Sequence, residues 1–315
     1  METEQLIAAI NQLRKEKDAL ILAHYYTTSD IQDIADYVGD SLALARKAAE
    51  TKAKIIVMCG VHFMGETAKI LCYDRKVLVP DMNAGCSLAD SCPAADFKAF
   101  VEAHPDYKVL SYVNTTAAVK AVTDIVVTSG NAVQIVESFS KDEKMIFGPD
   151  KNLGNYINSL TGRSMLLWDG ACHVHAQFSI EGIIKLKQEH PGALVLVHPE
   201  CKAPVIALGD IVGSTAKLIK EAEKSSAKEF IVATEWGILH ELTKRCPGKT
   251  FIPAPPDDNK TCGCNECNFM KLNTMEKIYN CLKNETPEIT VDKEIADKAI
   301  VPIRRMLEIS KKLGL

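Results

Sequence analysis

The sequence predicts an α/β protein made of three similar units, each with a small parallel sheet, arranged around one shared centre. Short apolar runs that are typical of buried strands alternate with helical patterns, which favours parallel strands joined by crossover helices. The same succession of strand and helix segments also recurs three times along the chain. Three small units account for 315 residues, which are too many for one ordinary core.

Each unit begins with an apolar strand that ends in polar side chains. The three segments are DALILAHYY, YKVLSYVNT and ALVLVHPEC. The step is 88 residues from His24 to Tyr112 and 86 residues from Tyr112 to His198. The polar residues at the three strand ends are His24 and Tyr26, Tyr112 and Asn114, and His198 and Glu200.

Helices that begin beside a hydroxyl group follow these strands, in the segments GDSLALARKAA, TSGNAVQIV and GSTAKLIKEA. They contain Ser41, Ser129 and, in the third, Ser214 with Thr215. A second strand comes next, in KIIVMCG, KMIFGPD and EFIVATEWG. The third strand lies in KVLVPDM, RSMLLWDG and KTFIPA, and a cysteine follows it in every unit.

The eleven cysteines are not expected to form a disulfide framework, because their number is odd, the chain is large and we expect it in a reducing compartment. Cys86 and Cys172 follow the third strands of their units and are 86 residues apart. The third unit carries Cys262, Cys264 and Cys267 in a longer loop. Three thiolates brought together from distant positions indicate a metal centre. Two other interpretations of the Cys264–Cys267 pair remain, namely one half of a zinc site and a reversible disulfide.

The repeat divides the chain into residues 1–103, residues 104–190 and residues 191–315, and the last range includes two closing helices. Proline is tolerated in the first turn of a helix, so we expect Pro302 there in the final helix.

Ligands of parallel sheets bind beyond the carboxyl ends of the strands, where the polar residues of all three units are expected to converge. Helix N-termini at the same place favour anions. We therefore expect one central cavity suited to a small molecule with carboxylate or phosphate groups. The polar residues expected around it are His24, Tyr26, Ser41, Tyr112, Asn114, Ser129, His175, His198, Glu200 and Thr215.

Composition argues against several other classes of function. The net charge is −4 and the chain has no long basic run, which argues against a surface that binds nucleic acid. No stretch approaches the roughly 20 apolar residues of a membrane span, and the N-terminus lacks the apolar segment of a signal peptide. We therefore expect a cytoplasmic protein.

Several segments together resemble the quinolinate synthase family, in that family's order and over nearly the whole chain. They include AHYYTTSDIQDIADYVGDSLALA, MNAGCSLADSC, VVTSGNAVQIV, WDGACHVH and CNFMKLNTMEKIYNCL. The resemblance implies three pseudo-symmetric αβα domains and a 4Fe–4S cluster held by three cysteines. It also implies a transferase of NAD biosynthesis, which condenses iminoaspartate with dihydroxyacetone phosphate to give quinolinate, phosphate and two waters. The iron without a cysteine ligand would act as a Lewis acid.

By this resemblance, the cluster ligands are Cys86, Cys172 and Cys267, with Cys262 and Cys264 as alternatives to the third. The resemblance also implies a functional link to the oxidase or dehydrogenase that makes iminoaspartate.

The resemblance further implies the roles of the polar residues. Glu200 is the expected general acid and base, Tyr26 assists proton transfer, and His175 contacts the phosphate or a late intermediate. Tyr112 and His198 are expected to take part in both catalysis and binding. The residues expected to bind substrate are His24, Ser41, Tyr112, Asn114, Ser129, His198, Glu200 and Thr215.

Two other functions remain open. One is another cluster-dependent dehydratase that acts on a small dicarboxylate. The other is a redox sensor without catalysis, which would need few proton-transfer groups. The many histidine, tyrosine and glutamate side chains at the strand ends argue against a sensor.

Overall fold

The computed structural model of the chain describes residues 2–257 and 265–314. Within them lie three separate four-stranded sheets, and every pair of neighbouring strands is parallel. The first sheet contains β1 (Ala19–His24), β2 (Tyr37–Gly39), β3 (Ile55–Cys59) and β4 (Lys76–Leu78). The second contains β5 (Lys108–Tyr112), β6 (Ile125–Val127), β7 (Met145–Gly148) and β8 (Leu166–Leu167). The third contains β9 (Leu194–Val197), β10 (Ile211–Val212), β11 (Glu229–Ala233) and β12 (Thr250–Pro253).

Helices connect the strands and close the chain. They are α1 (Thr3–Glu16), α2 (Ser29–Ile34), α3 (Ser41–Glu50), α4 (His62–Leu71), α5 (Ser87–Asp90), α6 (Ala94–Glu102), α7 (Ala117–Lys120), α8 (Ala132–Glu137), α9 (Lys151–Thr161), α10 (Ile180–Glu189), α11 (Ala203–Ile206), α12 (Thr215–Lys224), α13 (Ile238–Arg245), α14 (Met275–Asn284) and α15 (Lys293–Lys312). Two short 3-10 turns lie at His175–Gln177 and Met270–Leu272. Among the described helices, none has both the length and the apolar character that crossing a bilayer requires.

All three sheets have the same strand order, which confirms the predicted fold class. The orders are β2-β1-β3-β4, β6-β5-β7-β8 and β10-β9-β11-β12. The predicted first, second and third strands of each unit are all present. The short edge strands β2, β6 and β10 were not predicted. Each sheet lies inside one of the three sequence ranges proposed as units, although the limits of those ranges stay a prediction.

The first strand of each unit separates a shared core from a local one. Successive side chains of a strand point to opposite faces of its sheet. The equivalent residues Leu22, Leu110 and Leu196 are fully buried and belong to a single apolar cluster that joins all three units. The residues that precede them lie in three separate outer clusters and are Ile21, Val109 and Val195. Packing against a common core therefore turns the three sheets toward each other.

In every unit, an aspartate forms the same pair of hydrogen bonds with the backbone of this first strand. Its carboxylate accepts the backbone N–H of a residue 15 positions earlier at 2.8 Å, and its own N–H donates to the carbonyl of that residue at 2.9 Å. The three pairs are Asp36 with Ile21, Asp124 with Val109, and Asp210 with Val195. This repeated clamp fixes the loop that leads into each edge strand.

Replacement of Asp124 by alanine should therefore destabilise the fold. The buried N–H of Val109 would lose its carboxylate acceptor, which costs about 1–2 kcal/mol in the free energy of unfolding. Urea denaturation measures this loss. Asp124→Asn, which keeps an acceptor oxygen, should lose less, and alanine at the exposed Asp142 of the same unit should have little effect. Equal losses for Asp124→Ala and Asp142→Ala would contradict the clamp.

The prediction for Pro302 was wrong. Asp292 accepts the N–H groups of Glu294 and Ile295 and starts α15 nine residues before Pro302, which is buried inside the helix. The missing proline N–H leaves the carbonyl of Lys298 without its helical donor. The strong cap and the long apolar face of α15, which packs against β6 and α7, maintain the helix in spite of this loss.

Candidate active site and metal centre

The first strands of the three units end at one central cavity of about 670 Å³, open solvent at its mouth included. A volume of this order accommodates a small organic molecule. The structure brings together around it every residue that the sequence placed in the site: His24, Tyr26, Ser41, Cys86, Tyr112, Asn114, Ser129, Cys172, His175, His198, Glu200, Thr215 and Cys267. Their individual roles stay predictions.

Glu200 lines the cavity, is only 3% exposed and is held through both of its carboxylate oxygens. The hydroxyl of Tyr112 donates to Oε1 at 2.5 Å, and Nδ1 of His175 lies 3.0 Å from Oε2. Burial alone would raise the pKa of Glu200, but His175, His198 and the Tyr112 hydroxyl together lower this pKa to about 2. The side chain is therefore a carboxylate at neutral pH and can accept a proton.

A chain of hydrogen bonds leads from Tyr26 to this carboxylate. The Tyr26 hydroxyl lies 2.8 Å from Oγ1 of Thr234 and 2.9 Å from Oγ1 of Thr215. Oγ1 of Thr234 lies 2.9 Å from Nε2 of His175, whose Nδ1 faces Glu200. Burial raises the pKa of Tyr26 well above its ordinary value, so its hydroxyl is protonated at neutral pH. The cavity thus joins a proton donor and a proton acceptor by a continuous polar path.

Two histidines beside this path are neutral. Burial lowers the pKa of His24 and of His198 to about 3. Nδ1 of His24 accepts the backbone N–H of Tyr26 at 3.1 Å, which leaves the proton of the neutral ring on Nε2. The ring of His198 stacks on that of His175 with 4.6 Å between centroids. Both rings are therefore fixed in place and can donate a hydrogen bond without carrying charge.

Two polar atoms at the cavity have no partner. Oδ1 of Asn114 and Oγ1 of Thr128 are buried and find no hydrogen-bonding group within the described part of the chain. Buried polar atoms in folded proteins are nearly always paired. These two atoms therefore indicate a ligand that would supply their partners.

The three predicted cysteine ligands lie in similar local settings at the same cavity. Cys86 directly precedes α5, while Cys172 and Cys267 each come three residues before a 3-10 turn. Burial raises the pKa of Cys86 to about 12 and that of Cys267 to about 11, and it raises the pKa of Cys172 well above its usual value. Backbone N–H groups that follow each cysteine oppose this rise. The thiols also influence each other, since Cys86 and Cys267 both raise the pKa of Cys172.

The family model for quinolinate synthetase A protein matches residues 8–308 of the chain. The chain belongs to the quinolinate synthetase A family. Curated relatives agree with the match. The quinolinate synthases of Nostoc punctiforme and Trichormus variabilis are 56% and 55% identical over 305 residues, which is 97% of this chain and 94% of each relative. That of Chloroherpeton thalassium is 53% identical over 306 residues, 97% of this chain and 95% of the relative. These findings confirm the predicted family and the predicted enzyme class.

The donor set of this quinolinate synthetase A family member fits a metal centre. Ligand atoms of Cys172, His175 and Glu200 lie within 4.8 Å of each other, and Nδ1 of His175 is 3.3 Å from the Cys172 sulfur. The two other cysteines of the cavity add soft sulfur donors of the kind that iron–sulfur clusters prefer. Three thiols that line one cavity and raise each other's pKa, each facing backbone N–H groups, are disfavoured as separate thiolates and suited to a shared cation.

Further acidic residues, which sequence reasoning missed, hold two of the cysteine segments of this site. Asp150 accepts the backbone N–H of Cys172 at 3.1 Å, and Glu235 accepts that of Cys267 at 2.9 Å. Each acid comes two residues after the end of its unit's second strand, and Val61 takes the equivalent place in the first unit. The only signal in the sequence was this shared position within the repeat.

The remaining described cysteines form no part of the cavity. All six are buried, and they are Cys59, Cys72, Cys92, Cys201, Cys246 and Cys281. Cys262 and Cys264, the alternatives for the third ligand and one half of the possible disulfide, lie outside the described residues.

Proposed function

We propose that this chain condenses iminoaspartate with dihydroxyacetone phosphate to form quinolinate, phosphate and two waters in NAD biosynthesis. One observation carries the proposal. In a member of the quinolinate synthetase A family, three cysteines and a proton-transfer path from Tyr26 to Glu200 face the same buried cavity. A redox sensor without catalysis would not need this proton-transfer path.

The proposed metal group is a 4Fe–4S cluster held by Cys86, Cys172 and Cys267. When bound, such a group supplies a Lewis acid at the iron that lacks a cysteine ligand, which polarises an oxygen of the substrate and eases water loss. Asp150 and Glu235 would then hold the backbone of two ligand segments in place.

Iminoaspartate brings two carboxylates and an imine, and the cavity offers matching groups. The Nε2–H of His24 and the hydroxyls of Ser41, Ser129 and Thr215 are donors for carboxylate oxygens. The unpaired Oδ1 of Asn114 needs a donor, and an imine or enamine N–H supplies one. The substrate would therefore satisfy groups that the protein leaves without partners.

The proposed reaction requires protons to be moved at several steps, and the ionisation states of the cavity suit them. Removing a proton beside the imine carbon of iminoaspartate needs a base, which the Glu200 carboxylate would provide once the Tyr112 hydroxyl, one of the groups that lower its pKa, turns to the substrate. Each hydroxyl group that leaves as water must gain a proton, which the Tyr26 hydroxyl can donate. Thr234 and His175 link the two groups, so that a proton taken at one end can be returned at the other.

The decisive experiment supplies the anaerobically reconstituted protein with dihydroxyacetone phosphate and freshly generated iminoaspartate and detects quinolinate by mass spectrometry. We expect quinolinate and phosphate in equal amounts, and neither from protein without iron. A fully loaded protein that forms no quinolinate but dehydrates malate or a similar dicarboxylate would instead be the other dehydratase. A loaded protein with neither activity would favour the sensor.

We also propose that the enzyme works in the cytoplasm beside the oxidase or dehydrogenase that makes iminoaspartate. An imine of this kind hydrolyses in water, so a nearby source would limit its loss. Mixing the two enzymes should give more quinolinate per iminoaspartate formed as their concentrations rise together.

A further inference from the structure

Lys120, the last residue of α7, is completely buried beneath the second unit's part of the cavity. Its ammonium group donates to the carbonyl of Val113 at 2.8 Å and also to the carbonyl of Thr115. The ring of Phe63 from the first unit lies 5.5 Å from Nζ. The described residues place no carboxylate within ion-pair distance of this lysine.

Gln32 of α2 makes the same pair of contacts in the first unit. Its Nε2 donates to the carbonyl of Tyr25 at 2.9 Å and to that of Thr27 at 2.8 Å. A third contact, at 3.1 Å, reaches the carbonyl of Gly237 in the third unit. Gln32 is also buried, with 2% of its surface exposed.

The two residues occupy one position of the repeat. Gln32 lies eight residues after His24, and Lys120 lies eight residues after Tyr112. Each binds the carbonyls on either side of a single residue, and those two enclosed residues are Tyr26 and Asn114.

In the third unit, a different residue binds the equivalent stretch of backbone. Ile206 takes the place of Gln32 and Lys120, and Nδ2 of Asn152 from the second unit donates at 3.1 Å to the carbonyl of Glu200. A side-chain donor therefore holds the backbone at Tyr26, at Asn114 and at Glu200, the three equivalent residues of the cavity, and the donors in the first two units are buried.

We propose that Lys120 and Gln32 are positioning residues, which fix the backbone that presents Asn114 and Tyr26 to the substrate. The inference rests on the proposed function, which gives those two residues their roles. A buried ammonium without a carboxylate partner is costly unless its hydrogen bonds are satisfied. A purely apolar side chain would fill this place at lower cost, so the lysine is explained by the two carbonyls that it binds.

The internal repeat supplies the experiment, because the amide of Gln32 already does in one unit what Lys120 does in the next. Lys120→Met keeps the length of the side chain and removes both donations, whereas Lys120→Gln keeps an N–H donor. We compare both variants with the unaltered enzyme, all reconstituted anaerobically. The measurements are the Kd of quinolinate by calorimetry, KM and kcat, the iron content and the Tm.

The Met variant should bind quinolinate and iminoaspartate about tenfold more weakly, the effect of one hydrogen bond lost between a displaced Asn114 amide and the ligand, with an unchanged iron content. The Gln variant should recover most of that loss. If the Met variant folds, loads iron and binds quinolinate as tightly as the unaltered enzyme, Lys120 contributes only to core packing. Equal losses in the Met and Gln variants would lead to the same conclusion.

Gln32→Leu tests the same role if Lys120→Met does not fold. Since Tyr26 moves protons, this variant should lower kcat about tenfold and leave the Kd of quinolinate within about twofold. An unchanged kcat would overturn the inference for this unit. Failure of the proposed function looks different, because the unaltered enzyme itself would then form no quinolinate.

Discussion

Replacement of Cys86, Cys172 or Cys267 by alanine is expected to abolish stable iron binding and, with it, the formation of quinolinate. A cubane cluster is normally held by four cysteines, and the proposed site already has one fewer. Losing another leaves two thiolates for four irons. The three cysteines also come from three different units, so no neighbouring thiol among the described residues of the cavity can replace the missing one. Iron and sulfide analysis after anaerobic reconstitution measures the loss.

Cys59→Ala is the matched control for these variants. Cys59 is fully buried at the end of β3 and lies in the outer apolar cluster of the first unit together with Cys281. Its removal should leave the iron content unchanged and lower the free energy of unfolding by only about 1 kcal/mol.

Two outcomes would redirect the assignment of the ligands. If Cys267→Ala keeps its iron while Cys262→Ala or Cys264→Ala loses it, the third ligand is one of those neighbours. If single iron atoms remain in Cys86→Ala and Cys267→Ala but not in Cys172→Ala, and depend on His175 and Glu200, the centre is a mononuclear site around Cys172.

The sequence predicted most of the fold because three copies of one pattern reinforce each other. Leu22, Leu110 and Leu196 stand at equivalent places of strongly apolar segments, so each copy supported the assignment of the others. The edge strands β2, β6 and β10 were missed because two or three residues are too few to show a periodicity. Pro302 was misplaced because the capping carboxylate of Asp292, ten residues upstream, decides where that helix begins.

The cavity residues were predictable for a similar reason, since a polar residue at the end of an apolar strand has a known place in a parallel sheet. The groups that support them were not. A lysine at the end of a helix is usually exposed, so the sequence gives no sign that Lys120 is buried. Its burial depends on packing between two units. Asp150 and Glu235 gain their role only when the cysteine segments fold over them. The backbone N–H groups that they accept belong to cysteines 22 and 32 positions farther along the chain. Contacts between distant segments leave no local pattern.

Glu200→Gln is expected to eliminate most of the turnover while leaving the iron content intact. The amide has the same shape as the carboxylate but cannot accept a proton, and loss of a positioned general base typically lowers kcat about 10²- to 10⁴-fold. The fold should tolerate the change, because the amide oxygen can still accept the hydrogen bond from Tyr112. Steady-state kinetics on iron-matched samples measures the effect.

Tyr112→Phe separates the charge of Glu200 from its positioning. This variant keeps the carboxylate and removes only the 2.5 Å hydrogen bond to Oε1, so kcat should fall about tenfold, far less than in Glu200→Gln. If both variants lose activity equally, the hydrogen bond rather than the base is decisive. If Glu200→Gln instead loses its iron, Glu200 is a ligand of the metal centre, and the base must be sought farther along the path through His175 and Thr234.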